Sequence, residues 1–117
     1  MGVIKKIMNV SKEDYYIVHL GIINPLLPVR MTPKELEVLG TFMSLTGSIA
    51  EADRFGTTCK KIVKEKLNLS DGGLGNYIKT LKEKGFIYYN VDGKLVILDV
   101  LQADEKSQGY MFKIIEE

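Results

Sequence analysis

The stretch 70-SDGGLGNYIKTLKEKG-85 carries the clearest structural signal in the chain. Its apolar residues recur at the spacing i, i+4, i+7 of one helix face, as Leu74, Ile78 and Leu81. Ser70 suits the N-cap position, and Gly85 suits the position that follows the last helical turn. We therefore predict an amphipathic helix over residues 71–84 with a polar outer face.

A second, basic helix is predicted immediately before this one. Thr57 or Thr58 is expected to cap it, and Cys59 is expected to pack within it as a small apolar group. The residues that we expect to point inward are Ile62, Val63 and Leu67. Only the dipeptide 68–69 separates this helix from Ser70, which is the spacing of two helices joined by a tight turn.

A β-hairpin is predicted after the pair of helices. The β-rich runs 86–91 and 95–98 are joined through Asp92 and Gly93, a dipeptide that favours two-residue turns because it tolerates positive φ. After a polar stretch, residues 109–115 predict a final strand that could pair with a strand at the N-terminus.

Another helix is predicted to begin at Pro33. Thr32 supplies a capping residue, Pro33 suits the first helical position, and Glu35 stands at the capping-box position. We expect this helix, over 33–45, to face the core through Leu36, Leu39, Phe42, Met43 and Thr46. The weaker pattern over 46–56 predicts an exposed connection.

The N-terminal residues predict a strand followed by a helix. Residues 3–10 are rich in β-branched side chains and contain neither Gly nor Pro, which favours a strand. Ser11 resembles a helix cap, and we interpret the apolar run 15–23 as a buried helix. Within that run, we expect the polar tip of His19 to reach a backbone partner.

The composition is that of an ordinary folded protein. A chain of 117 residues fits one domain and can bury enough surface to fold without a disulfide or a metal ion. One cysteine and one histidine cannot form an internal disulfide or a Cys/His metal site, and we expect no cofactor. The absence of a signal-peptide pattern and of an unbroken apolar span predicts a cytoplasmic protein that does not enter a membrane.

The positive charge is concentrated in the middle of the chain. The formal net charge is only +1, but residues 54–84 contain eight basic and three acidic side chains. This segment could present a phosphate-attracting patch, or its lysines could simply be solvated on exposed helix surfaces.

The order of three helices and a hairpin over 32–98, with KKIVKEKLNLSDGGLGNYIKTLKEKGFIYYN at its centre, resembles a winged helix-turn-helix domain. In that pattern, 57–67 looks like the supporting helix, 71–84 like the recognition helix and 88–97 like the wing. The TPKE-like opening and the LxLSxxxLxxYIxxLKxKG-like core are similar to those of small proteins encoded by phages and mobile elements.

The resemblance implies an α+β fold. We expect a winged helix-turn-helix with three core helices, a C-terminal β-hairpin wing and extra N- and C-terminal strands. The whole chain, 1–117, would then be one winged-helix domain. Its parts would be an N-terminal strand and helix over 1–31, the core over 32–98 and a C-terminal strand within 99–117.

The resemblance also implies a set of residues that contact double-stranded DNA. The recognition helix would enter the major groove, and its base-facing candidates are Asp71, Gly73, Asn76, Lys79 and Thr80. The preceding helix, the turn and the wing would contact phosphate, through Lys60, Lys61, Ser70 and Lys94.

Three classes of function remain open. The basic segment favours a DNA-binding transcriptional regulator. Near-neutral overall charge and the glycines at 72, 73 and 75, which supply no base-reading side chain, favour a module that binds a protein partner such as polymerase, a virion component or a second copy of the chain. Catalysis is the least favoured, because the sequence has no paired carboxylate and histidine, phosphate-binding loop or nucleophile motif.

Overall fold

Five α-helices precede a β-hairpin in the residues that the structure, a computed structural model, describes, 9–104 and 108–110. The helices are α1 Lys12–Ile23, α2 Pro33–Ser44, α3 Ser48–Ala52, α4 Thr57–Leu67 and α5 Asp71–Glu83, and the strands are β1 Ile87–Tyr89 and β2 Leu95–Ile97. The predicted α+β class is therefore confirmed. The two predicted terminal strands lie mostly outside the described residues, and the described positions 9, 10, 109 and 110 have no regular secondary structure.

Helix α1 contains the apolar run 15–23 that was predicted to be helical, and it begins at Lys12, directly after the predicted cap. Its N-cap is Ser11, whose Oγ accepts a hydrogen bond of 3.2 Å from the backbone N–H of Asp14. The helix packs closely against α2. A Cβ atom added to Gly40 of α2 would lie 3.1 Å from the backbone N and Cα of Ile17, so the two helices approach closely because Gly40 has no side chain.

Helix α2 begins with the predicted capping box. The Oγ1 of Thr32 accepts from the N–H of Glu35 at 3.2 Å, and the Oε1 of Glu35 accepts from the N–H of Thr32 at 2.7 Å. Of the expected core residues, Leu39, Phe42 and Met43 are buried and Leu36 is half-buried. The inward prediction for Thr46 is wrong, because the helix ends at Ser44 and the chain turns Leu45, rather than Thr46, into the core.

Most residues of the connection 46–56 are exposed as predicted, but the connection is not simply a loop. Helix α3 forms there, and Ala50 and Phe55 are buried, with the Phe55 ring 4.7 Å from that of Phe42. The guanidinium of Arg54 donates hydrogen bonds of 2.9 Å to the carbonyls of both Phe42 and Leu45. It thereby satisfies carbonyls at the C-terminal end of α2, where the carbonyl of Phe42 otherwise accepts, within the described residues, only a 3.3 Å hydrogen bond from the N–H of Leu45.

Helix α4 begins at Thr57, one residue earlier than a cap at Thr57 would allow. Its N-cap is Gly56, and Thr57 and Thr58 lie inside the helix, so neither caps it. Cys59 and Val63 are four residues apart and are both buried, which confirms the apolar role of Cys59. Ile62 is 37% exposed, so the prediction that it points inward is wrong. It is the residue before the buried Val63, and successive residues of a helix point about 100° apart.

The turn between α4 and α5 is as short as predicted. Asn68 adopts the left-handed conformation at φ 54°, and the N–H of Leu69 donates to the carbonyl of Lys64 at 2.9 Å. Ser70 caps α5 as predicted, and Gly85 ends it at φ 79°. The predicted inner face is confirmed, since Leu74, Ile78 and Leu81 are all buried.

The predicted hairpin is present, but its turn is longer than predicted. The strands pair antiparallel in the register Ile87↔Ile97, Tyr88↔Val96 and Tyr89↔Leu95. The N–H of Asn90 donates to the carbonyl of Lys94 at 2.8 Å, which leaves the three residues 91–93 in the loop. The prediction of a two-residue turn at Asp92 and Gly93 is therefore wrong. Gly93 takes a positive φ of 77°, but Asp92 does not.

The residues after the hairpin are anchored to α1. A 3₁₀ turn at Asp99–Leu101 buries Leu101 within a stretch that looked merely polar in sequence. The Nε2 of His19 lies 3.0 Å from the carbonyl oxygen of Leu101 and donates to it, which confirms the predicted backbone partner. With that proton on Nε2, Nδ1 accepts from the hydroxyl of Tyr110 at 2.5 Å.

Candidate nucleic-acid interface

Helices α4 and α5 form an outer surface that carries four of the predicted contact residues. We call it the α4–α5 face and define it by the exposed side chains of Lys60, Lys61, Asn76 and Lys79. The same two helices contribute buried residues to the hydrophobic core, namely Cys59, Val63, Leu74, Ile78 and Leu81. Packing in the core therefore determines which side chains this surface presents.

A cleft of about 430 Å³ runs between the two helices. Its α4 wall is Thr57, Lys60, Lys61 and Lys64, and its α5 wall is Asp71, Leu74, Gly75 and Ile78. Lys79 lies four residues beyond Gly75 and hence on the same side of α5. The cleft thus places lysines of α4 beside the N-terminal half of α5.

The predicted contact residues at the start of α5 make internal contacts. The Oγ of Ser70 accepts from the N–H of Gly73 at 3.0 Å, so this hydroxyl oxygen serves as the helix cap. The carboxylate of Asp71 pairs with the ammonium of Lys64. The hydrogen bond and positive charge of Lys64 hold the pKa of Asp71 below its usual value.

The remaining predicted residues of α5 differ in how free they are. The hydroxyl of Thr80 donates to the carbonyl of Asn76 at 2.6 Å and is thereby directed along the helix. The side chain of Lys79 is 73% exposed and lies 4.0 Å from Glu83, a distance at which an exposed ion pair contributes little. Asn76 is exposed and its side chain is available to an incoming ligand.

Two glycines, Gly72 and Gly75, interrupt the side chains on the outer side of the first two turns of α5. A Cβ atom added to Gly72 or to Gly75 would meet no atom within 4 Å, so both positions open directly to solvent. By contrast, a Cβ atom on Gly73 would lie 3.1 Å from the capping Oγ of Ser70. Gly73 therefore lies against the turn, and as a base-facing candidate it offers no side chain.

Four of the eight basic side chains in residues 54–84 are held by contacts within the protein. Arg54 caps α2, Lys64 pairs with Asp71, Lys66 lies 3.5 Å from the carboxylate of Glu13, and Lys84 lies 2.6 Å from that of Glu35. The basic side chains of this segment outside these contacts are Lys60, Lys61, Lys79 and Lys82. The charge count of the sequence therefore overstates what the α4–α5 face presents.

The lysine of the hairpin does not stand free at the tip. The Nζ of Lys94 donates to the carbonyl oxygen of Ala52, at the end of α3, with a distance of 3.1 Å. This contact joins the hairpin to α3. The carbonyl of Ala52 therefore competes with phosphate for the ammonium of Lys94.

The sequence prediction missed an aromatic and cationic group beside α5. The Nζ of Lys82 lies 5.5 Å from the centre of the Tyr89 ring, within cation–π distance. Tyr89 is 62% exposed, and Tyr88 and Val91 of the hairpin are exposed as well. Tyr88 and Tyr89 are adjacent in β1 and point to opposite faces of the hairpin, so an aromatic side chain is exposed on each face.

Residues 9–104 and 108–110 contain neither a candidate metal site nor a helix that could span a membrane. No group of three or more His, Cys, Asp or Glu side chains there is arranged to hold a metal ion. None of the helices in this range combines the length and the apolar character needed to span a membrane. Comparison of the chain with known protein families, curated proteins and solved structures found no match.

Proposed function

We propose that this chain is a winged-helix protein of the small phage-like type that binds double-stranded DNA through the α4–α5 face and regulates transcription in the cytoplasm. In this proposal, α2, α4 and α5 are the three core helices, α5 is the recognition helix, and the hairpin is the wing. The single observation that carries it is the tight α4–turn–α5 unit, which buries most of its apolar residues and exposes Lys60, Lys61, Asn76 and Lys79.

The side chains of this face suit two kinds of contact with DNA. Lys60 and Lys61 project from α4 beside the cleft, and long cationic side chains there are suited to phosphate. Asn76 can pair with adenine through two hydrogen bonds in the major groove, and Lys79 can donate to guanine. The bare surface at Gly72 and Gly75 would let the backbone of α5 approach the DNA closely.

A second candidate function is favoured by the hairpin. Tyr88, Tyr89 and Val91 expose apolar surface, and exposed aromatic residues are enriched at protein interfaces. Near-neutral charge and the engaged lysines also suit a protein partner better than a polyanion. In this alternative, the chain is a winged-helix module that binds polymerase, a virion component or a second copy of itself, without DNA.

A titration of duplex DNA at several salt concentrations tests the first proposal. Each phosphate contact adds about 0.9 to the slope of log K against log salt, so Lys60→Ala combined with Lys61→Ala should lower the slope by about 2. The loss should be similar for all duplex sequences. Asn76→Ala should instead reduce discrimination between sequences by about 1–3 kcal/mol, with little change in slope.

A matched control is Lys12→Ala combined with Lys34→Ala, which removes the same charge from the first turns of α1 and α2. It should bind duplexes nearly as the wild type does. If the wild type binds no duplex at low salt, and an Asn76 or Lys79 substitution abolishes capture of a protein partner, the DNA proposal is wrong and the α4–α5 face is a protein interface.

A further inference from the structure

We propose that Asp71 restrains DNA binding by the α4–α5 face, because it holds the ammonium of Lys64 in an ion pair and keeps that lysine from a phosphate. This inference rests on the proposed function and concerns the regulation of the same site. It assigns Asp71 a role opposite to the base contact that the resemblance implied.

The position of Lys64 makes it a natural phosphate contact. It lies four residues after Lys60 and three after Lys61, so all three lysines share one side of α4. All three line the cleft against α5. With Lys64 free, the cleft would present three cations in a row along α4, whereas the ion pair leaves two.

The ion pair is built into the turn between the helices. The backbone carbonyl of Lys64 accepts hydrogen bonds from the N–H groups of Asn68 and Leu69, which end α4. Asp71 is the first residue of α5, directly after the Ser70 cap. The turn therefore holds the carboxylate within reach of the ammonium without a change in the backbone.

The two partners differ in their access to solvent. The side chain of Asp71 is 87% exposed and that of Lys64 is 28% exposed. The carboxylate thus stands at the rim of the cleft, where a phosphate would approach, and the ammonium lies behind it. Asp71 consequently weakens phosphate binding in two ways: it holds the ammonium of Lys64 in an ion pair, and it adds a negative charge to the rim of the cleft.

The test compares duplex binding by the wild type, Asp71→Asn, and Asp71→Asn combined with Lys64→Gln. Asparagine retains the shape of the side chain and releases Lys64. Asp71→Asn should steepen the salt slope by about 0.9, so its advantage over the wild type should be about threefold larger at 50 mM than at 200 mM salt. The double variant has the net charge of the wild type and should return to the wild-type slope.

Two controls separate this mechanism from simpler ones. Glu65→Gln removes one negative charge from α4, at a residue that pairs with no lysine within the described ranges, and should not steepen the slope. Asp71→Glu keeps the charge and should bind as the wild type does. Thermal unfolding of each variant checks that the fold is retained, which is expected because the carboxylate of this ion pair is exposed to solvent.

The results distinguish failure of this inference from failure of the proposed function. If the wild type binds duplexes with a measurable salt slope that Asp71→Asn leaves unchanged, the restraint is refuted and DNA binding stands. The restraint is also refuted if the double variant keeps the steeper slope, or if Glu65→Gln steepens it equally. If neither the wild type nor Asp71→Asn binds duplexes at low salt, the proposed function itself is wrong.

Discussion

Glu35 shows how one buried side chain can connect distant parts of the chain. Its Oε1 accepts from the N–H of Thr32 in the capping box and from the Nζ of Lys84, which follows α5. Lys84 also donates to the carbonyl of Arg30 at 3.1 Å. Burial opposes ionisation of Glu35, but the hydrogen bonds and charge of its partners outweigh it, so its pKa lies below the ordinary value.

This lowered pKa predicts a specific acid sensitivity. The stabilisation from ionised Glu35 is fully present above the unfolded-state pKa of about 4.3 and is lost as the pH falls toward the lower folded-state pKa. Glu35→Gln keeps a capping acceptor but cannot ionise. At pH 7 we expect it to lose about 1.5–3 kcal/mol of unfolding free energy, the contribution of a hydrogen bond to a charged group.

Urea unfolding between pH 7 and pH 3 measures this difference. The wild type and Glu35→Gln should converge in stability as the pH falls below about 4.3. Glu37→Gln is the matched control, since its ion pair with Lys34 is exposed on the same helix and should contribute about 0–1 kcal/mol. A difference between wild type and Glu35→Gln that stays constant with pH would contradict the assignment.

At the scale of elements, the close packing of α1 on α2 depends on Gly40. A Cβ atom there would lie 2.6 Å from the Cγ1 of Ile17 and 3.1 Å from two of its backbone atoms. A side chain can rotate away, but backbone atoms can separate only if the helices move apart. This crossing places α1 where His19 reaches the residues that follow the hairpin.

Substitution of two glycines isolates this contact. Gly40→Ala and Gly21→Ala both place alanine in a helix interior and gain the same helix propensity of up to about 1 kcal/mol. A Cβ atom on Gly21 would meet nothing within 4 Å. Gly40→Ala should therefore be less stable than Gly21→Ala by about 1–3 kcal/mol in chemical denaturation, the range expected for overpacking. Equal stability of the two variants would show that the helices tolerate a methyl group between them.

At the scale of the whole molecule, one hydrophobic cluster joins the helices, the hairpin and the 3₁₀ turn after it. Its members include Leu20 of α1, Phe42 of α2, Val63 of α4, Ile78 of α5 and Leu101 after the hairpin. A shared cluster couples these parts, so we expect a substitution within it to lower the stability of the whole fold.

Two isoleucines of the helix pair test this expectation. Ile78 is buried in the cluster, whereas Ile62 is 37% exposed. Ile78→Ala should lose about 2–5 kcal/mol, as large-to-small core substitutions do. Ile62→Ala should lose clearly less, because it removes less buried surface. Unfolding curves followed by helix signal and by tyrosine fluorescence should coincide, and a loss below about 0.5 kcal/mol for Ile78→Ala would mean that α5 packs differently.

Local patterns in the sequence determined α1, α2, α4 and α5, the caps of α1, α2 and α5, and most of the inner faces. The capping box at Thr32 and the inner face of α5 follow from residues within one or two turns of each other, so no knowledge of the fold was needed. The errors concern the rotation of α4 at Ile62, the end of α2 at Thr46 and the short helix within 46–56. Each of these features depends on what the helix packs against, which the sequence does not show.

The charges of the candidate interface were decided only by the tertiary structure. Lys84 meets Glu35 across 49 residues of sequence, Lys66 meets Glu13 across 53, and Arg54 reaches the end of α2. A sequence shows that lysines are present, but their partners come from other elements. Folding therefore decides which cations are left for a ligand, because an ion pair depends on distance in space rather than along the chain.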